Sequence, residues 1–307
     1  MGASREIKHA LLDSTLVKWD KASGDKEHPL NPSGWRELLA DAARDLAQAD
    51  VASPRNDAEW IAVAASGVPR SRLIIADEPD LVVRERFAAM VARRAQREPL
   101  QHIVGTAPFW RRELAVGPGV FVPRPETELL VEWALRELVD RNDPVVVDLC
   151  AGSGAIGTAV VTERADAVVY AVEADETAAT WLRRNLRDGT VVVADATAPT
   201  TLSHLDGAVD LVVSNPPYVP TGVEVPAEVH ADPPMAVFGG GDGMDVIRPL
   251  VTRIATLLAP GGVTAIEHDD THGETVPQLL REAGFEDVAA HRDLAGRPRF
   301  ATGRRRR

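Results

Sequence analysis

Asn215-Pro216-Pro217-Tyr218 is the stretch of this sequence whose residue types most plainly specify chemistry. Its two prolines remove two backbone donors and stiffen the chain. The carbonyls of Asn215 and Pro216 are left without local partners, and Asn215 adds a side-chain oxygen. Rigid acceptors followed by an aromatic ring suit a flat group ending in NH2. The oxygens take its two hydrogens, and Tyr218 lies against its face. In an amide or an exocyclic amine the nitrogen lone pair is delocalised. Hydrogen bonds fixed out of the amide plane favour a pyramidal nitrogen, whose lone pair then points at an activated methyl group. Asn215, Pro216 and Tyr218 are therefore candidate catalytic residues, and Pro217 completes the candidate substrate loop.

A second constellation lies upstream. In Asp148-Leu149-Cys150-Ala151-Gly152-Ser153-Gly154-Ala155-Ile156-Gly157, the residues Gly152, Gly154 and Gly157 spell G-x-G-x-x-G between an apolar run and a helical one. Such a loop brings backbone close to a ligand at a helix N-terminus. Glu173 ends the next apolar run, where a carboxylate accepts hydrogen bonds from both ribose hydroxyls. The pattern alone leaves NAD and S-adenosylmethionine open. Asp148 tips the choice: a carboxylate before the loop repels a pyrophosphate and attracts a sulfonium and an ammonium. Asp195, after the third strand, is placed to meet an adenine amino group. No metal is expected. Glu267-His268-Asp269-Asp270 with His272 reads as a surface acidic turn, because methyl transfer needs no metal.

These loops need a scaffold. From Val145 onward, strands at Val145–Leu149, Val168–Val172, Val191–Ala194, Val209–Val213 and Val263–Glu267 alternate with helices at Ala155–Thr162, Glu176–Leu186, Val246–Leu258 and Val276–Ala283. Val288–His291 and Phe300–Thr302 are weaker strand candidates. Apolar strands alternating with helices specify a parallel, doubly wound α/β sheet. Upstream, helical spacing over Trp35–Gln48, with Ser33 as cap, over Asn56–Ala65 and over Leu81–Arg97 makes a small helical domain. His102–Thr106 and Glu113–Val116 read as a hairpin joined through Phe109-Trp110. Val120–Glu128 is an extended approach to a helix over Leu129–Val139. The resulting division is a flexible lead-in (1–34), a helical domain (35–98), a hairpin linker (99–120) and a catalytic domain (121–307).

Composition excludes other classes. The 307 residues are 45% hydrophobic and 26% charged, ordinary for a folded domain pair. No apolar run is long enough to span a bilayer, and Met1–Lys8 lacks an apolar signal core. The net charge of −12 opposes direct nucleic-acid binding. Leu205–Thr275 is the most acidic stretch, with eleven Asp or Glu against two Arg. The terminal Arg304–Arg307 reads as a solvated end. A single cysteine, Cys150, permits no internal disulfide, so a cytoplasmic location is expected.

The Asn-Pro-Pro-Tyr loop behind a glycine loop resembles the amino-methyltransferases that use S-adenosylmethionine. Val122-Pro123-Arg124-Pro125-Glu126-Thr127-Glu128 resembles the PRP(D/E)TE signature of the peptide chain release factor glutamine N5-methyltransferases. Gln101–Gly105 with Phe109, Asp232-Pro233 through Phe238-Gly239-Gly240 and Gly243-Met244, and Ala265–His268 resemble further segments of that family. The likeness runs from about Trp35 to Phe300. It implies a seven-stranded, doubly wound, Rossmann-like methyltransferase sheet with one antiparallel strand, and an N-terminal helical domain that docks the substrate. It implies methyl transfer to the glutamine of a Gly-Gly-Gln tripeptide in class 1 release factors, with S-adenosylhomocysteine as product. Asn215 and the Pro216 carbonyl would hold the glutamine amide, beside Tyr218. Cys150, Ala151, Gly152, Ser153, Gly154, Glu173, Asp195, Ala196 and Asn215 would border the cofactor. A monomer is expected.

Two positions depart from the family pattern. Cys150 stands where many members have the first loop glycine, and Cys resists positive φ, so either an unstrained backbone there or a slightly shifted loop is expected. Ala196 replaces a bulky aromatic. The alternatives are a ribosomal-protein glutamine methyltransferase, whose Pro-Arg segment has Ser where Pro125 stands, an adenine-N6 methyltransferase, a nicotinamide-dependent oxidoreductase and a non-catalytic binding module.

Overall fold

The computed structural model describes residues 34–307. Apart from Gly34, the lead-in expected over 1–34 and its Ser33 cap lie outside the described residues. Helix α1 (Trp35–Gln48) turns Trp35, Leu39, Ala42 and Leu46 inward. Helix α2 (Pro54–Ser66) opens on a proline, which loses no bond there, and closes on left-handed Gly67. Helix α3 (Leu81–Ala95) is capped by Asp80, whose carboxylate accepts from the Val83 N–H. They share one core, with Trp35 edge-on to Phe87 at 5.7 Å and Leu73 beneath.

The hairpin differs from expectation. His102–Val104 is helical, not extended: α4 (Leu100–Val104) follows Pro99 and ends on left-handed Gly105. The Pro-start and Gly-stop outweigh the strand propensity of Ile103 and Val104. Burial decides it, because the helical turn puts Ile103 into the core of α1–α3 and lets His102 Nε2 reach the Val120 carbonyl at 3.2 Å. The strands are β1 (Thr106–Phe109) and β2 (Arg112–Ala115), joined by Trp110-Arg111 with Trp110 at φ 55°.

Helix α5 (Thr127–Glu137) leads into the alternating part: β3 (Val145–Leu149), α6 (Ala155–Glu163), β4 (Val168–Glu173), α7 (Glu176–Asn185), β5 (Thr190–Val193), β6 (Val209–Ser214), α8 (Pro234–Val237), α9 (Ile247–Leu257), β7 (Leu258–Glu267), α10 (Thr275–Glu282), β8 (Phe285–Arg292) and β9 (Pro298–Arg305). The seven strands lie in the order β5-β4-β3-β6-β7-β9-β8. The first five are mutually parallel, and β9 runs antiparallel to both neighbours. Successive strand residues serve opposite faces. Val146, Leu211, Val213 and Ala265 pack with α5, α6 and α7. Val147, Leu149, Val212 and Ile266 pack with α9 and α10. This double burial is why the strands read as unbroken apolar runs.

The terminal arginines are only partly a solvated end. Arg304 and Arg305 belong to β9, and Arg304 pairs with Glu137 at 2.9 Å and Asp287 at 3.3 Å. Among the described residues, no helix is long and apolar enough to cross a membrane.

Candidate active site

Parallel strands deliver their following loops to one sheet edge, and the two constellations meet there. A cavity of about 760 Å³ is lined by Cys150, Ala151, Gly152, Ser153, Glu173, Asp195, Ala196 and all of Asn215–Tyr218. Gly154 does not line it. That glycine starts α6 at φ 82°, where a Cβ would stand 2.5 Å from Leu182 Cδ1. Its role is therefore to let α6 approach α7.

Glu173 is held by its own backbone surroundings. Oε2 accepts from the Gly152 N–H at 2.8 Å and Oε1 from the Asp175 N–H at 2.9 Å. Each oxygen keeps a free lone pair for a diol. Asp195 Oδ1 caps its own turn, accepting from the Thr197 N–H at 2.8 Å and its hydroxyl at 2.7 Å, and still borders the cavity. Asp148 lies fully buried under the glycine loop. Its Oδ2 accepts from the Gly157 N–H at 3.0 Å, and Oδ1 has no partner among the described residues. Burial, reinforced by Glu173, pushes its carboxyl up to about 7. Asp148 does not line the cavity, so the carboxylate expected to attract a sulfonium and an ammonium instead sits beneath the glycine loop, holding the Gly157 N–H.

Cys150 corrects an expectation: it is left-handed, at φ 61°. Such a conformation costs a non-glycine residue about 1–2 kcal/mol. The bonds around it impose the turn, with Ala151 N–H on the Val172 carbonyl at 2.9 Å and Ser214 Oγ on the Leu149 carbonyl at 2.7 Å.

At the other end, Pro216 is buried and Asn215 and Tyr218 are half-buried at the cavity wall. Neither the Asn215 nor the Pro216 carbonyl accepts a backbone or side-chain bond among the described residues. The Asn215 amide is fixed by its nitrogen: Nδ2 donates to Thr127 Oγ1 at 3.2 Å, which leaves Oδ1 as the presented acceptor. Tyr218 OH donates to Glu267 Oε1 at 3.1 Å, and Thr127 Oγ1 donates to Glu267 Oε2 at 2.8 Å.

Glu267 was expected in a surface acidic turn, and the structure overturns that. Glu267, His268 and His272 are buried, and only Asp270 of the named residues is exposed. Strand β7 carries Glu267 to the sheet edge, and its partners stand on α5 and on the loop after β6. Among the described residues, no group of three or more His, Cys, Asp or Glu is arranged to hold a metal ion.

The chain beyond Tyr218 both backs the loop and continues the cavity wall. Gly243 sits at φ 78° against Tyr218, where a Cβ would fall 2.2 Å from the Tyr218 carbonyl oxygen. Within residues 219–238, Val225, Pro226, Val229 and Met235 line the cavity. Asp232 anchors this segment, accepting from the Val122 N–H at 3.2 Å and from Arg124 Nη2 at 2.6 Å. Arg124 in turn stacks over Phe121, itself a cavity residue. Sequence reasoning gave no part in the site to Thr127, Glu267, Asp232 or Gly243. The signal was present in the segments around 122–128, 232–244 and 265–268, which meet only in the fold.

A doubly wound seven-stranded sheet that brings Glu173 at a strand end and an Asn-Pro-Pro-Tyr loop to one cavity has the architecture of a methyltransferase. The PrmC N-terminal domain family matches residues 37–105, and the methyltransferase small domain family matches 118–232. A release factor glutamine methyltransferase of Mycolicibacterium smegmatis is 51% identical over 274 residues, covering 88% of this chain and 97% of that one. One of Corynebacterium glutamicum is 47% identical over 281 residues, covering 88% and 98%. A solved protein-(glutamine-N5) methyltransferase (release factor-specific) from Alicyclobacillus acidocaldarius is 25% identical, with a TM-score of 0.41, over 63% of this chain and all of that one. This chain belongs to the release factor glutamine methyltransferase family.

Proposed function

We propose that the protein methylates the side-chain N5 of the glutamine in the Gly-Gly-Gln motif of class 1 release factors, using S-adenosylmethionine. One observation carries this: Asn215 and Pro216, whose carbonyl oxygens accept no bond among the described residues, line the same cavity as Glu173. When bound, S-adenosylmethionine supplies a methyl group already activated on sulfonium. Glu173 holds its ribose, Asp195 and Ala196 flank its base, and residues 150–154 carry the loop beneath it, with the Asp148 carboxyl below. Asn215 Oδ1 and the Pro216 carbonyl take the two amide hydrogens of the glutamine, and Pro217 keeps them rigid. The Tyr218 ring supports the flat group from the side. Held in that way, the amide nitrogen presents its lone pair, and positioning rather than acid–base chemistry supplies the rate.

The helical part, residues 35–98, serves as the docking domain. It exposes Ile75 at 81% and also Ile74, Leu81 and Val82, apolar side chains suited to a protein partner. Residues 99–120 link it to the methyltransferase domain, 121–307. The enzyme works as a cytoplasmic monomer, without binding nucleic acid.

The test is incubation of the full chain with a purified release factor and labelled S-adenosylmethionine, followed by mass mapping. One methyl on the Gly-Gly-Gln glutamine is the expected result. Label on another residue, or none, would overturn the reading.

A further inference from the structure

Glu267 does not line the cavity, yet it bonds Tyr218 of the loop directly and reaches Asn215 through Thr127. It is 1% exposed at the end of β7. One oxygen receives the Tyr218 hydroxyl, and the other receives that of Thr127, the first residue of α5. Thr127 is 3% exposed, at the cavity wall, and its hydroxyl is held between Glu267 and Asn215. A carboxylate only accepts, and therefore dictates direction. Thr127 must donate its single hydrogen to Glu267. Its oxygen is then free to accept from Asn215, so the NH2 end of Asn215 turns to Thr127 and the carbonyl end to the cavity.

We propose that Glu267, acting through Thr127, is a positioning residue that sets which end of the Asn215 amide faces the substrate. The inference rests on the reading of Asn215 as the holder of the substrate amide. Without a fixed direction the Asn215 amide turns over, and its NH2 meets the substrate NH2, donor against donor. The same carboxylate occupies the Tyr218 hydroxyl, so Tyr218 meets the substrate through its ring alone. Burial pushes the Glu267 carboxyl up to about 7, against the opposing effects of Thr127, Arg299 of β9 and Tyr218 and with a small push from Glu126. A protonated Glu267 can donate, and the direction of the relay is then lost.

The experiment uses the full chain with purified release factor and compares Thr127→Val, Thr127→Ser, Glu267→Gln and Asn215→Ala. Thr127→Val is expected to lower kcat about 10-fold or more, as loss of one oriented contact does. S-adenosylmethionine affinity, measured by calorimetry, stays within about 2-fold. Thr127→Ser, which keeps the hydroxyl, is expected to restore kcat to within about 3-fold. Wild-type kcat is expected to rise as pH climbs through about 7, and Glu267→Gln to flatten that limb. Full kcat in Thr127→Val, or a Thr127→Ser variant as slow as Thr127→Val, would overturn the proposal. Because Thr127→Val and Thr127→Ser decide it between them, a poorly folded Glu267→Gln leaves it tested. An active Asn215→Ala would instead sink the underlying reading of the loop.

Discussion

Arg97 grips Glu228 with two parallel bonds, Nε on Oε1 and Nη2 on Oε2, each at 2.8 Å. Arg94 adds a third at 2.9 Å while holding Asp57 of α2 at 2.8 Å. The helical part is thus fastened to a segment that lines the cavity, 131 residues away in sequence. Glu228→Gln is expected to cost about 1–3 kcal/mol, the worth of bonds to charged groups, and to lower kcat/KM several-fold. Arg97 holds the Glu228 carboxyl down at about 2, so its stabilising effect is full above the ordinary 4.5 and lost as pH falls toward 2. Thermal unfolding of the variant between pH 2 and 5 checks this. An unchanged acid limb would remove Glu228 from the account.

Asn215→Ala removes the side-chain acceptor and leaves both prolines in place. Methyl transfer is expected to fall by about 100-fold or more, with S-adenosylmethionine still bound. Turnover near wild type would end the amide-holding role.

Glu173→Ala is expected to weaken S-adenosylmethionine by about 10- to 100-fold, the worth of one or two bonds to a charged acceptor. The fold loses less, since only the Gly152 and Asp175 N–H groups are released, at the rim of the cavity. Calorimetric titration beside a melting curve separates the two effects.

Asp148 and Glu267 are both buried carboxyls raised to about 7, from ordinary values of 3.8 and 4.5. Across that window the folded chain keeps protons that the unfolded chain has released. Both groups therefore make stability fall as pH climbs from about 4 to 7. Asp148→Asn is expected to flatten the fall of the melting temperature over this range. A slope identical to wild type would show that Asp148 is ionised throughout.

Gly243→Ala meets the Tyr218 carbonyl and must hold φ 78° with a Cβ. Left-handed strain of about 1–2 kcal/mol adds to overpacking of about 1–3 kcal/mol. The loop yields first, so kcat is expected to fall more steeply than S-adenosylmethionine affinity. Equal losses in both would place the damage in the fold rather than in the loop.

The strands from Val145 onward were readable because both faces of the sheet are covered, which makes each strand one apolar run between helical stretches. Glu173 and the glycine loop followed from their places at strand ends. Glu267 was not readable from its neighbours: Glu-His-Asp-Asp looks like a solvent-facing turn, and its partners Tyr218 and Thr127 are 49 and 140 residues away. For α4 the opposite failure occurred. Pro99 and Gly105 bracket a helical turn in the local sequence, but the β-branched pair between them drew the reading toward a strand. The arginines of β9 read as tail because their acidic partners, Glu137 and Asp287, lie on other elements.

The left-handed Cys150 has a practical consequence. Burial, then Glu173, pushes its thiol up to about 12, and the chain has no other cysteine. Cys150 is half-buried in the cavity wall, and the raised thiol disfavours the thiolate that alkylating reagents attack. A cysteine introduced at exposed Ile75 would be the position that a maleimide dye modifies first, so the native background need not be engineered away to follow docking by fluorescence.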